Sequence, residues 1–334
     1  MSEGHLEELA NAVNGSVLVP GDENYDPARA LWNARFDRRP DVVVQCEGAD
    51  DVQASVNFAR TRNLPLSVKG GGHAFAANTV GDGGLLIDLS PMKGIEIDPE
   101  AKIARIEAGL KWGEFDPLAQ AHGLASPGGT VSGVGVAGYT LGGGAGYLAR
   151  KHGMAIDNLL SVDVVTAGGD LLHASADENT DLFWALRGGG GNFGVATRFE
   201  FQLHEVGPEV VAGQVFHRLE DAPDLLRFYR DFMAAAPDDI QCYPFFLRVP
   251  PMELFPEAYH GQLVLDFVVF HAGSGAEAEA ALRPLVERGR PFLSLVGPQP
   301  YVSVLQTFDA GGPDGNRFPP PRCPIFVPHH GRME

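Results

Sequence analysis

Ser67-Val-Lys-Gly-Gly-Gly-His-Ala-Phe75 decides the reading of this chain. The stretch follows the apolar run Leu64-Pro65-Leu66 and places a histidine after three consecutive glycines. Three glycines in a row lose backbone entropy and pack no side chain. They make sense where the main chain passes close to a ligand and presents N–H groups to an anion. A histidine at that spot is placed to touch the ligand or to bond to it covalently. Taken alone, the same residues would also suit a tight turn.

Working outward, Asp41-Val-Val-Val-Gln45 reads as a buried strand, and Asp50-Asp51 as N-capping carboxylates for a helix with Val52, Val56, Phe58 and Ala59 on its apolar face. Leu64 to Val68 is a second strand. This β-α-β unit delivers the glycine–histidine loop at a strand's C-terminal end, where open sheets bind ligands. Short strands are expected at 84–88, 95–97 and 103–107, a helix at 112–122, strands at 161–166 and around Leu171 and Leu172, a helix at 181–186 and a strand at 195–203. After Pro208 the pattern changes to strand 210–217, helix 222–235, strands 241–249 and 262–271, and helix 276–288. That order suits a smaller sheet with helices on one face. Four regions follow: a lead-in at 1–36, a first domain at 37–206, a second at 207–310 and an irregular tail at 311–334.

The chain has 334 residues and 44% hydrophobic residues, enough for a full core in two domains. Its 43 acidic and 25 basic residues leave a net charge of −18. Such a surface repels phosphate backbones and anionic lipid, which argues against nucleic-acid and membrane-surface partners. The three cysteines, Cys46, Cys242 and Cys323, are far apart and form neither a disulfide framework nor a metal spacing, so no metal is expected. The N-terminus lacks the apolar segment of a signal peptide, and no apolar run approaches the roughly 18 residues of a membrane span, so the expectation is a cytoplasmic protein. No Ser-His-Asp or Gly-x-Ser-x-Gly arrangement supports hydrolase chemistry. His152 reads as a solvated helix end, and His5, His122, His173, His204, His329 and His330 show no partner pattern.

A second glycine segment runs from Pro127 to Gly146, and a third is Arg187-Gly-Gly-Gly-Gly-Asn-Phe-Gly194. Neither is the Rossmann fingerprint, because no strand feeds a GxGxxG turn into one long helix. Two long glycine segments separated by short strands imply that bare backbone lines one extended ligand with phosphate in its middle. The competing reading is loops and bulges in a β-rich domain.

Four stretches carry a resemblance: Leu66-Ser-Val-Lys-Gly-Gly-Gly-His73, Gly133-Val-Gly-Val-Ala-Gly-Tyr-Thr-Leu-Gly-Gly-Gly144, Lys151-His-Gly-Met-Ala-Ile-Asp-Asn158 and Asp181-Leu-Phe-Trp-Ala-Leu-Arg-Gly-Gly-Gly-Gly-Asn-Phe-Gly194. With Tyr25, Arg29 and Trp32-Asn33, the chain resembles the FAD-linked oxidases that share the two-part flavin-binding fold of vanillyl-alcohol oxidase, in the berberine-bridge-enzyme-like branch. The resemblance covers about Tyr25 to Leu305. It implies an α+β architecture: a two-subdomain PCMH-type FAD-binding domain followed by an incomplete substrate domain, an antiparallel sheet with helices on one face.

What the resemblance implies for the site can be carried over by position. Lys69, Gly70, Gly71, Gly72 and Ala74 match the pyrophosphate loop. His73 matches the histidine that bonds to the flavin 8α carbon in many members, an attack suited to a neutral imidazole. Gly128, Gly129, Thr130, Gly133, Val134, Gly135 and Gly138 would border the isoalloxazine. Tyr139, Gly142, Gly143, Gly144 and Asn158 complete the cofactor set, with Gly194 and Val195 at the adenine end. Val131 stands where some members carry a second, cysteinyl flavin link, so only the histidine tether is implied. Val134 falls where plant-type members carry a residue proposed to gate oxygen, and a small valine suits an oxidase.

The implied function is an FAD-dependent oxidase taking hydride from a small organic alcohol, sugar or amine and passing electrons to molecular oxygen. Its catalytic base is not assigned, and Tyr243, Tyr259 and Tyr301 are candidates only by lying in the second domain. Family members continue well past residue 334, and Pro319 to Glu334 does not match them, so a truncated or frame-shifted C-terminus is expected. That leaves two alternatives open, a non-catalytic flavin-binding remnant and a dehydrogenase using another electron acceptor. The cofactor colour of the purified protein tests the flavin reading itself, and peroxide release on screening alcohols, sugars and amines separates an oxidase from a remnant.

Overall fold

The computed structural model describes residues 1–75, 79–309 and 315. Its first sheet contains β1 (Ser16–Leu18), β2 (Val42–Gln45), β3 (Leu66–Lys69) and β4 (Leu85–Asp88), in the order β1-β2-β4-β3. β2 and β3 both run parallel to β4, and β1 adds an antiparallel edge. Val42, Val43 and Val44 are fully buried, as the unbroken apolar run requires of a parallel strand covered on both faces. Helices α1 (Glu3–Ala12), α2 (Tyr25–Arg29) and α3 (Ala49–Thr61) pack around this sheet. The lead-in thus contributes one strand and two helices, a role its sequence does not announce.

Asp51 departs from its expected part. The N-cap of α3 is Gly48, with no side-chain cap. The buried Asp51 carboxylate instead accepts the amides of Asn14 at 2.7 Å, Gly15 at 3.0 Å and Glu47 at 2.9 Å. One helix-borne acid therefore ties the lead-in to the sheet, because three orphan amides outcompete the helix end for it.

The second sheet is antiparallel, β5-β6-β10-β8-β9, built from β5 (Ile95–Asp98), β6 (Ile103–Glu107), β8 (Leu159–Val165), β9 (Leu171–Ser175) and β10 (Val195–Gln202). α4 (Trp112–Gln120), β7 (Leu124–Ala125), α5 (Val136–Leu141), α6 (Ala149–His152) and α7 (Thr180–Gly189) fill the connections. Trp112, Phe115, Phe199 and Phe201 join both sheets in one core with Val42, Leu85 and Ile87. β11 (His204–Glu205) pairs with β7 and leads into the third sheet.

That third sheet runs β13-β14-β12-β15, with β16 also on β12: β12 (Glu209–Arg218), β13 (Ile240–Arg248), β14 (Leu263–His271), β15 (Leu293–Ser294) and β16 (Gly297–Pro300). α8 (Ala222–Ala235) and α9 (Gly275–Val286) cover one face, where Val211, Val215, Leu265 and Phe267 meet Leu225, Leu282 and Leu285. The short α10 (Tyr301–Leu305) packs on the other side, with Val268, Phe270 and Tyr147. The expected α+β architecture is what forms. Gly315 is described, whereas residue 310 and the remainder of the expected tail at 311–334 lie outside the described residues.

His217 sits fully buried on the helix-covered face of β12, edge-on to Phe267 at 5.5 Å. Neither ring nitrogen finds a partner among the described residues, and burial pulls its pKa down. The folded state therefore holds the ring neutral, while the unfolded chain protonates it below about pH 6.5. Stability is full above that pH and falls as the pH drops. His217→Leu, of similar volume, should raise stability in urea titrations by about 1–3 kcal/mol at pH 7, and by more in acid; a destabilised variant contradicts the account.

Candidate functional site

β3 is the outer strand of its sheet, so one backbone edge is left unpaired. Beside it lies a cleft of about 540 Å³, walled by residues 66–68, 79, 165–167 and 189–195. This brings the third glycine segment, with Gly194 and Val195, against the strand that feeds the first. Two hydroxyls lining the cleft, Ser67 Oγ and Thr79 Oγ1, are buried yet have no partner among the described residues. A buried hydroxyl left unmatched costs about 1–3 kcal/mol. Neither residue was singled out in the sequence, because a serine in a strand and a threonine after a loop carry no local signal.

Beyond this cleft the first and second glycine segments touch. A Cβ on Gly71 would lie 2.4 Å from both Cα and N of Gly135, so the two backbones meet with no room for a side chain. Two residues on, His73 lies against Gly133, where an added Cβ would stand 3.4 Å from Nε2. Trp32 stacks on the His73 ring at 4.5 Å and 22°, and its amide donates to Gly72 O at 3.1 Å. The lead-in aromatic thus sets the plane of the imidazole. Gly72 has φ +70°, a left-handed conformation that turns the chain into the histidine.

The glycines sort into two groups. Gly71, Gly135 and Gly146 allow backbones to meet, the last at 1.9 Å from Gly128 O by the same measure. Gly138, Gly188, Gly190 and Gly191 would place an added Cβ in open space. Only part of the glycine content therefore lines a guest, and the rest fits loop to loop. Gly128 and Gly129 lie on the Trp112 ring, Tyr139 donates to Gly128 O at 3.0 Å, and Val134 O accepts the Trp112 amide at 3.0 Å. Gly143 and Gly144 accept the amides of Ile156 and Ala155, closing the 152–158 turn onto the second segment. Thr130 and Ala74 are half-buried beside these contacts.

Two of the expected cofactor residues have their polar atoms engaged within the protein. The ammonium of buried Lys69 donates to Ala28 O and lies 3.4 Å from the fully buried Asp88. Burial pulls the Lys69 pKa down, and Asp88 opposes that shift. Asn158 donates to His152 O and Met154 O, both at 2.8 Å, and its Oδ1 meets His204 Nε2 at 2.5 Å. His152 is not a solvated helix end: it stacks on His204 at 3.8 Å, and burial first, then His204, pushes its pKa down to about 4. His173 also has a partner, Asp163 at 2.7 Å. Sequence spacing hides all three contacts because they join residues from different strands and loops.

The three candidate tyrosines each have a contact within the protein. Tyr301 is buried beside Phe270, Tyr243 donates to Gly146 O at 2.9 Å, and Tyr259 stacks on Phe292 at 3.8 Å. Among the described residues no group of three or more His, Cys, Asp or Glu is placed to hold a metal. No helix is long and apolar enough to cross a membrane. A second depression of about 630 Å³ opens beside the first loop, lined in part by Arg29, Trp32, Gly70, Gly71 and Lys111.

Unmatched hydroxyls in a cleft, bare amides beside a histidine, and glycines facing open space fit a long anionic dinucleotide. Comparison with known proteins agrees. Residues 40–175 match the family model described as FAD binding domain. The chain is 40% identical over 202 residues to (R)-6-hydroxynicotine oxidase of Paenarthrobacter nicotinovorans, covering 60% of this chain and 44% of that protein. It is 30% identical over 310 residues to the FAD-linked oxidoreductase YgaK of Bacillus subtilis, covering 91% and 66%. A solved structure of glucooligosaccharide oxidase from Acremonium strictum, whose title names a 6-S-cysteinyl, 8α-N1-histidyl FAD, superposes with a TM-score of 0.79 at 25% identity, covering 92% and 63%. The chain therefore spans between 44% and 66% of the length of these relatives.

The loop-to-loop contact is testable apart from any activity. Gly71→Ala should lower the thermal midpoint by an amount corresponding to about 1–3 kcal/mol, as overpacking against backbone does. Gly191→Ala, with φ −80° and open space, should leave it within about 0.5 kcal/mol. Equal effects at both positions would contradict the division.

Proposed function

We propose, from the premise that this chain belongs to the FAD-linked oxidoreductases and carries their FAD-binding domain, that it is an oxidase acting on a small organic alcohol, sugar or amine with oxygen as electron acceptor. In this reading residues 37–206 form the flavin unit, residues 207–310 supply the facing wall for substrate, and the protein works in the cytoplasm. The observation that carries it is the pair of buried, unmatched hydroxyls of Ser67 and Thr79 in the cleft beside the third glycine segment.

Bound FAD supplies the two-electron chemistry that amino-acid side chains lack. The chain's own residues bind and orient. Ser67, Thr79, Gly194 and Val195 would hold the nucleoside end in the cleft, and the amides of Gly70, Gly71 and Gly72 would donate to the phosphates. His73, which stacks on Trp32 and lies close to Gly133, would serve as the tether. A histidyl link is named for the glucooligosaccharide oxidase structure. The cysteinyl link named there has no equivalent in this reading, because Val131 occupies the corresponding position. Both described cysteines are buried, with thiols pushed up by burial, Cys46 to about 12. Neither forms the thiolate that a covalent link requires.

Purified protein should carry flavin absorbance that stays with the polypeptide after acid denaturation. His73→Ala should release it. Ser67→Ala and Thr79→Val, measured on His73→Ala protein so that binding is reversible, should each weaken FAD affinity roughly fivefold. Colourless protein that takes up no added FAD would sink the reading.

A further inference from the structure

The third sheet has α8 and α9 on one face and turns its other face toward the first half of the chain. Antiparallel register assigns side chains to that inner face, since directly opposed residues point the same way. Asp266 of β14 stands opposite Phe216 of β12 and opposite Phe245 of β13. Two apolar clusters occupy the ends of the face. Val268 and Phe270 pack with Tyr147, whereas Phe216 and Val264 pack with Val249 and Phe255. Between them the apolar surface is interrupted by Asp266 and Gln214.

Asp266 is fully buried, and Gln214 Nε2 donates to its Oδ2 at 2.6 Å. Its Oδ1 has no partner among the described residues, and neither has the buried hydroxyl of Tyr147. A face that needed only packing would carry an apolar residue here, because an unmatched carboxyl oxygen in dry surroundings is costly. Phe245, directly opposite, is 41% exposed, so an apolar ring at the surface flanks the buried carboxyl. Phe308 lies 5.4 Å from Phe245, and its neighbour Asp309 accepts the Ser132 amide at 2.8 Å and the Ser132 hydroxyl at 2.5 Å. This part of the inner face therefore lies beside the second glycine segment.

We propose that Asp266, its plane fixed by Gln214, is the subsite that takes the protonated amine of a small organic substrate, whose apolar body lies against Phe245 and Phe308. The assignment rests on the reading above, in which substrate lies between the third sheet and the second glycine segment. The chemistry favours a cation over a neutral sugar. Gln214, Phe216, Tyr243, Phe245, Val264 and Val268 surround Asp266 in the register and include no positive charge. A lone carboxylate with a free oxygen is matched by an ammonium, which brings both charge and hydrogen bonds.

In the bare protein burial raises the Asp266 pKa to about 7, opposed by the Gln214 hydrogen bond and the Val215 amide. The titratable neighbours are Tyr147 and Tyr243 on the inner face and Cys242 on the other. Burial raises all three, which keeps them uncharged at neutral pH. An ammonium needs the ionised carboxylate, so its affinity should climb through pH 7 and then level off.

The test is calorimetric titration of the purified full chain with benzylammonium chloride, with FAD content recorded separately by absorbance and xylobiose as neutral control. Wild type should bind benzylammonium saturably, about tenfold more tightly at pH 8 than at pH 6. Asp266→Asn keeps the Gln214 contact and removes the charge; it should lose at least about tenfold in affinity and the pH trend, with an undiminished thermal midpoint. The proposal is overturned by absent or pH-independent wild-type binding, by a variant that binds equally well, or by xylobiose binding in preference. Should Asp266→Asn not fold, the wild-type pH profile alone decides. Failure to take up FAD sinks the flavin reading, while the amine titration still reports on Asp266.

Discussion

The meeting of two bare backbones, Gly71 against Gly135, is the constraint on which the rest of the molecule depends. It fixes the loop leaving β3 against the segment entering α5. It places His73 at Gly133 and leaves the edge of β3 open toward the third glycine segment. Any side chain at the contact would separate the parallel sheet from the antiparallel one. The long glycine runs are thus required twice: by the chain's own packing, and by the guest for which the remaining bare positions make room.

Around this contact, charge is handled by burial with exact partners or by leaving one atom open. Asp51 collects three amides, and Lys69 is divided between Asp88 and a carbonyl. These groups hold the lead-in and the first loop in place, and their cost is offset because their partners are within the chain. Ser67, Thr79 and Asp266 are different. Each is buried with a polar atom that has no partner among the described residues, and each lies where one half of the molecule faces a cleft or the other half. The lead-in has a related function, since Trp32 sets the imidazole plane from a position far away in sequence.

Element existence was legible to within a residue or two for most strands and helices, since runs such as Val42–Val44 and the spacing in 222–235 leave few alternatives. Less legible were α1, β1, α5, β15, β16 and α10, which are short or amphipathic only in relation to partners distant in sequence. The same limit hid the contacts of His152, His204 and Asp51. It also concealed that Lys69 and Asn158 spend their polar atoms on the chain itself.

The sequence by itself determined the α+β class, the order of the three glycine segments, the histidine at the end of the first, and with them the kind of cofactor. These are local matters, because missing side chains and periodic apolar runs act within a few residues. Only the tertiary structure decided which glycines touch each other and which face open space, and which buried hydroxyls and carboxyl lack a partner among the described residues. The reason is physical: whether a polar group is satisfied depends on what the fold brings within about 3 Å of it, and no reading along the chain contains that distance.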